Sequence, residues 1–131
     1  DQQGQEHIVT FAIENWWSAD LSSFITQTPS DFNVKCIEAT EVIQFTYQNQ
    51  DEIFQNIPKM ETLFRKLLEK ALVSSQKRIV NNFSLSAKDQ YLYFKKQYST
   101  IEQRVPQYMV ASYLGITKEF LSKIKTELAK D

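Results

Sequence analysis

Side chains able to do covalent or metal chemistry are few in this 131-residue chain. His7 is its only histidine and Cys36 its only cysteine, so neither a disulfide framework nor a Cys/His metal site has enough ligands. No serine or cysteine has a base at a recognisable spacing, and Glu14, Asp20 and the other carboxylates of the first half are scattered without forming an obvious pair. No catalytic residue, metal ligand or cofactor is therefore expected, and the chain reads as a non-enzyme. Cys36 lies in the strand-like run VKCIEATEVIQF and is expected as a small, buried packing residue.

The charges say more. The net charge of -1 hides a division: residues 1–56 carry nine acids against one base, Lys35, a net -8, and residues 57–131 carry fourteen bases against seven acids, a net +7. A basic half of this kind suits a polyanionic partner, although a solvated, lysine-rich helical surface would look the same.

The elements that must position these charges follow from residue pattern. Hydrophobic residues make up 42% of the chain and aromatics 13%, enough for a packed core, while two glycines and three prolines favour helices over turn-dense architectures. Residues 7 to 45 are nevertheless strand-like, rich in Val, Ile, Thr, Phe and Trp, with turn residues at TPSD, 28 to 31. Beyond Asn49 the apolar period lengthens to that of a helix: Met60, Leu63, Phe64, Leu67, Leu68, Ala71 and Leu72, with Ile79 and Val80 continuing the stripe. Pro58 suits the first turn of this helix, which is expected from about Lys59 to about Asn82. So long a helix with a wide apolar stripe needs a partner, and its copy in a parallel dimer is the expected one. Ser86, with Asp89 three residues on, resembles an N-cap opening a helix through Tyr98 with Tyr91, Leu92, Phe94 and Tyr98 inward.

VPQYMVASYLGITKEFLSKIK, residues 105 to 125, is the most specific stretch. In a helix-turn-helix the two helices approach closely, so a small residue is needed where they face each other, and Ala111 fills that place. Gly115 stands where the turn requires a left-handed backbone. Val110, Leu114, Ile116, Leu121 and Ile124 supply the interior, Thr117 is the expected N-cap of the second helix, and Lys118, Glu119, Ser122, Lys123 and Thr126 point outward.

The strings RVPQYMVASYLGIT and ENWW, with the long helix between them, resemble regulators of the Crp/Fnr family, in particular the short forms common in Bacteroidetes. The resemblance spans the chain. It implies an α+β fold: a partial cyclic-nucleotide-binding-like β-roll with a hinge helix over residues 1–56, a dimerisation helix over 57–83, and a C-terminal (winged) helix-turn-helix domain over 84–131 with a short or absent wing. Met60, Leu63, Phe64, Leu67, Leu68, Ala71 and Leu72 would form the dimer interface. Asp1 to Glu6 match a hairpin midway through the roll, so the chain is expected to be a fragment or trimmed form of a longer regulator, the alternative being a roll completed by another chain. Rotation of the C-terminal domains about residues 81 to 86 is the expected coupling of sensor to DNA.

The resemblance also locates sites. The family's phosphate-binding turn corresponds to Ala19, Asp20 and Leu21, and the position of its phosphate-neutralising arginine is Ser30. Without that guanidinium the charge-assisted bonds to a cyclic phosphate are lost, so cyclic AMP is not the expected effector. Trp16 and Trp17 are expected to fill the core, the alternative being an apolar ligand pocket. Lys118, Glu119, Ser122 and Lys123 occupy base-reading positions; lysine donates to guanine and Glu accepts from cytosine, which suits a G·C-containing half-site. Arg104, Gln107, Ser112 and Lys125 are candidates for phosphate contacts, which position without choosing a sequence.

The expectation is a cytoplasmic, homodimeric transcription regulator on double-stranded DNA, binding an inverted repeat read by two helices about 34 Å apart. RNA polymerase and an unidentified small-molecule effector are further candidate partners, and a membrane is not one, since no apolar run is long enough to span it. The rival is a helical protein-interaction module that never meets DNA.

Overall fold

The computed structural model describes residues 6–130, and over them the secondary structure is entirely helical. Seven helices follow one another: α1 (Leu21–Thr26), α2 (Gln50–Asn56), α3 (Pro58–Ser84), α4 (Ala87–Gln97), α5 (Ser99–Arg104), α6 (Gln107–Leu114) and α7 (Lys118–Leu128). None of them is long and apolar enough to cross a membrane.

This corrects the α+β expectation. No strand is present among the described residues, so there is neither a β-roll nor a wing. A strand exists only through a ladder to a neighbour, and β-branched composition describes residues that fit a half-buried pleated surface without supplying that neighbour. Neither EHIVTF nor NVKCIEATEVIQF forms a strand. Several of their apolar side chains are left in solvent, with Val34 72%, Val42 71% and Ile43 99% exposed. Cys36 is exposed as well, where a buried residue was expected. The hairpin expected at Asp1 to Glu6 lies outside the described residues except for Glu6.

The chain divides into two compact units, Trp17–Ile79 in one and the flanking segments, up to Trp16 and from Val80 on, in the other. In the first, Asp20 caps α1 by accepting from the Ser23 N–H at 3.1 Å, and Gln27 ends the helix in a left-handed conformation, φ 55°. Aromatic rings hold this unit together. Phe45 lies 5.0 Å from Phe64 and 6.1 Å from Trp17, with Phe24 and Phe54 also against it. Pro58 opens α3 as the sequence predicts, and no proline or glycine interrupts the helix before Ser84.

The second unit holds every fully buried side chain among the described residues. Its core is built from Tyr91 and Phe94 of α4, Ile101 of α5, Val110 and Ala111 of α6, and Leu121 and Ile124 of α7. Helix α4 begins as expected, with the Ser86 hydroxyl accepting from the Asp89 N–H at 3.2 Å and donating to the Asp89 carboxylate at 2.6 Å. Leu92 does not join the core and is 41% exposed. Tyr91 and Phe94, three residues apart, already face inward, and Leu92 is turned about 100° from Tyr91. Helix α5, which the sequence pattern does not announce, supplies Ile101.

Helices α6 and α7 pack together across the turn Gly115–Thr117. Ala111 is 2% exposed, small enough for the close approach. Gly115 adopts φ +70°. The Gly115 N–H donates to the Ser112 carbonyl at 3.1 Å and the Ile116 N–H to the Ala111 carbonyl at 3.0 Å, the hydrogen-bond pair of a Schellman C-cap. Thr117 then caps α7, its hydroxyl accepting from the Phe120 N–H at 3.2 Å.

Candidate nucleic-acid interface

Burial of Leu121 and Ile124 fixes which side of α7 faces water. At about 100° per residue, Lys118, Glu119, Ser122 and Lys123 share an arc of about 140° on the opposite side. All four are exposed. Two ammonium groups, a carboxylate and a hydroxyl on the first two turns of a capped helix form a set of donors and acceptors able to meet base edges in a major groove. The N-terminal end of the helix also favours an anion nearby.

The four phosphate-contact candidates have distinct settings. Arg104 ends α5 and makes a two-pronged ion pair with Glu14, both N···O distances being 2.9 Å. The hydrogen bonds from Arg104, more than its charge, bring the Glu14 carboxyl down from 4.5 to about 2. Ser112 on α6 accepts the Ile8 N–H at 3.0 Å. Gln107 sits half-buried in the first turn of α6. Lys125 donates to Glu102 at 3.2 Å, and its ammonium lies 6.0 Å from the centre of the Tyr91 ring.

Glu102 is the hub behind α7. Its Oε1 accepts from both the Tyr91 hydroxyl and the Lys125 ammonium. Burial by itself would raise the Glu102 carboxyl, but those two hydrogen bonds and the charges of Lys125 and Lys95 bring it below its ordinary value. Burial first, and Glu102 second, push the Tyr91 phenol well up. The network therefore keeps one carboxylate charged under a neutral phenol, tying α4, α5 and α7 together.

The other predicted sites lie in the first unit. Ala19, Asp20 and Ser30 line an open cleft of about 460 Å³ with Phe24, Gln44 and Tyr47 among its walls, while Leu21 is not part of the lining and is 45% exposed. The Asp20 carboxylate is already engaged by the Ser23 N–H, the Ser30 hydroxyl at 2.9 Å and the Asp31 N–H at 3.0 Å, which hold it below its ordinary value. Trp17 packs on Phe45 and Phe64, whereas Trp16 belongs to the second unit and packs on Tyr98 within it. Of the expected dimer residues on α3, Met60, Phe64 and Leu67 are half-buried, with Phe64 in the aromatic cluster, and Leu63, Leu68, Ala71 and Leu72 are exposed. Among the described residues no three acids, histidines or cysteines come together as metal ligands.

Sequence reasoning did not find Ile8, Glu14 or Glu102 as neighbours of the candidate interface. The Glu14–Arg104 pair joins residues 90 apart, and no local pattern announces such a contact. No protein family, no curated protein and no solved structure matches the chain.

Proposed function

We propose that this chain is a sequence-specific DNA-binding transcription regulator of the Crp/Fnr type, acting as a homodimer on double-stranded DNA. The observation that carries the reading is the outward face of α7: Lys118, Glu119, Ser122 and Lys123 exposed over a helix whose other side is anchored by Leu121 and Ile124. The Schellman cap at Gly115 and the Thr117 N-cap set where that helix starts, and the close packing at Ala111 sets how it is held. Base edges are read by this face, and phosphates are met by Arg104, Gln107, Ser112 and Lys125. Self-association runs through α3, where Leu68, Leu72 and Ile79 lie within about 40° of one another on the helix and are 42%, 61% and 57% exposed. Cyclic AMP is not the effector in this reading, and RNA polymerase and an unidentified small molecule remain partners of the regulator.

The rival reading, a helical interaction module, shares the fold but not the polyanion. Titration of a labelled duplex at about 50 and about 200 mM salt separates them, because each phosphate contact contributes roughly 0.9 to the slope of log K against log salt. A regulator loses affinity steeply, and Lys125→Ala lowers the slope by about one unit per bound protomer. No retention of duplex at the lower salt assigns the chain to the interaction module instead.

A further inference from the structure

Resting on the DNA-binding reading, we infer that residues 8–14 form an autoinhibitory strap over the phosphate-contacting surface of the C-terminal helices, with the Glu14 carboxylate standing in for a DNA phosphate on Arg104. Three observations meet here. The two-pronged Glu14–Arg104 pair uses the same planar fork by which a guanidinium grips a phosphate, so the two anions compete for one set of donors. At the other end of the segment, the Ile8 N–H sits 3.0 Å from the Ser112 hydroxyl. That contact uses a lone pair of the hydroxyl and holds the main chain of the strap against the Ser112 side chain. Between the two ends Phe11 anchors the segment, its ring 5.4 Å from Tyr113 and 6.1 Å from Phe94.

The anchoring is firm enough to dock the strap and weak enough to release it. Phe11 is only half-buried. The ion pair is open to water, with side-chain exposures of 68% for Glu14 and 36% for Arg104, so salt and competing anions screen it. A turn at Asn15, φ 66°, closed by the Trp16 N–H on the Ile13 carbonyl at 3.0 Å, ends the strap next to Trp16, which packs on Tyr98. The strap therefore has a fixed attachment at that end. Duplex DNA reaches Arg104 and Ser112 only when the segment lifts, and its apparent affinity is reduced by the fraction of chains with the strap docked. Anything that captures residues 8–14 elsewhere raises affinity for all sequences alike, since phosphate contacts carry no sequence information.

The test is duplex binding by the full chain, its Glu14→Gln variant and Glu6→Gln, which removes one negative charge just outside residues 8–14. Each is measured with and without Arg104→Ala, alongside hydrogen exchange at the Ile8 amide with and without saturating duplex. The strap predicts that Glu14→Gln tightens binding about two- to five-fold, the range expected for loss of an exposed ion pair. Glu6→Gln does not match this gain, Arg104→Ala abolishes it, and protection of the Ile8 amide falls when duplex is bound. Equal affinities for wild type and Glu14→Gln, or an Ile8 amide as protected in the complex as in the free chain, overturn the strap while leaving DNA binding intact. Failure of every variant to bind duplex at low salt overturns the DNA-binding reading and the strap with it.

Discussion

Gly115 is the residue on which the geometry of α6 and α7 most depends, and replacing it with alanine isolates a single physical cost. A Cβ at this position meets nothing within 4 Å, so no clash contributes. What remains is the backbone, held at φ +70° by two hydrogen bonds to the end of α6. An L-residue pays about 1–2 kcal/mol to sit in that left-handed region. Against this, alanine restricts the unfolded chain more than glycine and recovers about 0.4–1 kcal/mol. The net expectation is a destabilisation centred on about 0.8 kcal/mol. Gly115→Asn should cost less than Gly115→Ala, because asparagine tolerates the left-handed region. Thermal unfolding followed by circular dichroism reads this as a fall of a few degrees for Gly115→Ala, with the asparagine variant closer to wild type. An alanine variant as stable as wild type, or an asparagine variant less stable than it, would refute the argument that left-handed backbone is the reason glycine stands here.

Two further outcomes follow from the core and from Glu14. Phe94, 1% exposed at the centre of the buried cluster, should destabilise the C-terminal unit by about 3–5 kcal/mol when changed to alanine; a loss under about 1 kcal/mol in urea unfolding would mean that the cluster is not the core. Hydrogen bonds from Arg104 first, and one from its own backbone second, depress the Glu14 carboxyl from 4.5 to about 2, so its contribution to strap docking is fully present above pH about 4.5 and is lost as pH falls through about 2. Carbon-13 titration of that carboxyl should show a midpoint near 2 that returns toward 4.5 in Arg104→Ala, and a wild-type midpoint near 4.5 would show that the pair does not form in solution.

The C-terminal part of the fold was legible because its rules are local. Ser86 and Thr117 cap helices within three residues of themselves, Gly115 marks a left-handed turn, and Ala111, Leu121 and Ile124 follow from helical spacing alone. The first half was not, for the same reason turned around. Strand-like runs such as NVKCIEATEVIQF need distant partners before they become a sheet, and no strand forms among the described residues, where Ile43 and Val42 are exposed. Asp20 was legible in position but not in role: it lies beside Ser30, yet its carboxylate is spent on capping α1 and holding the turn at Ser30 and Asp31. On the candidate interface, the outward residues of α7 could be read from periodicity, whereas the Glu14–Arg104 and Tyr91–Glu102–Lys125 contacts could not, because they are made across the fold and leave no spacing rule behind.

The most direct test of the central claim is selection of bound duplexes from a random pool by the full chain, repeated with Lys118→Ala and Lys123→Ala. The account predicts enrichment of an inverted repeat with half-sites about one helical turn apart, and relaxed preference at particular base pairs in each variant. Retention without any enriched sequence, or an enriched repeat unchanged by both substitutions, would contradict the assignment of α7 as the helix that reads DNA.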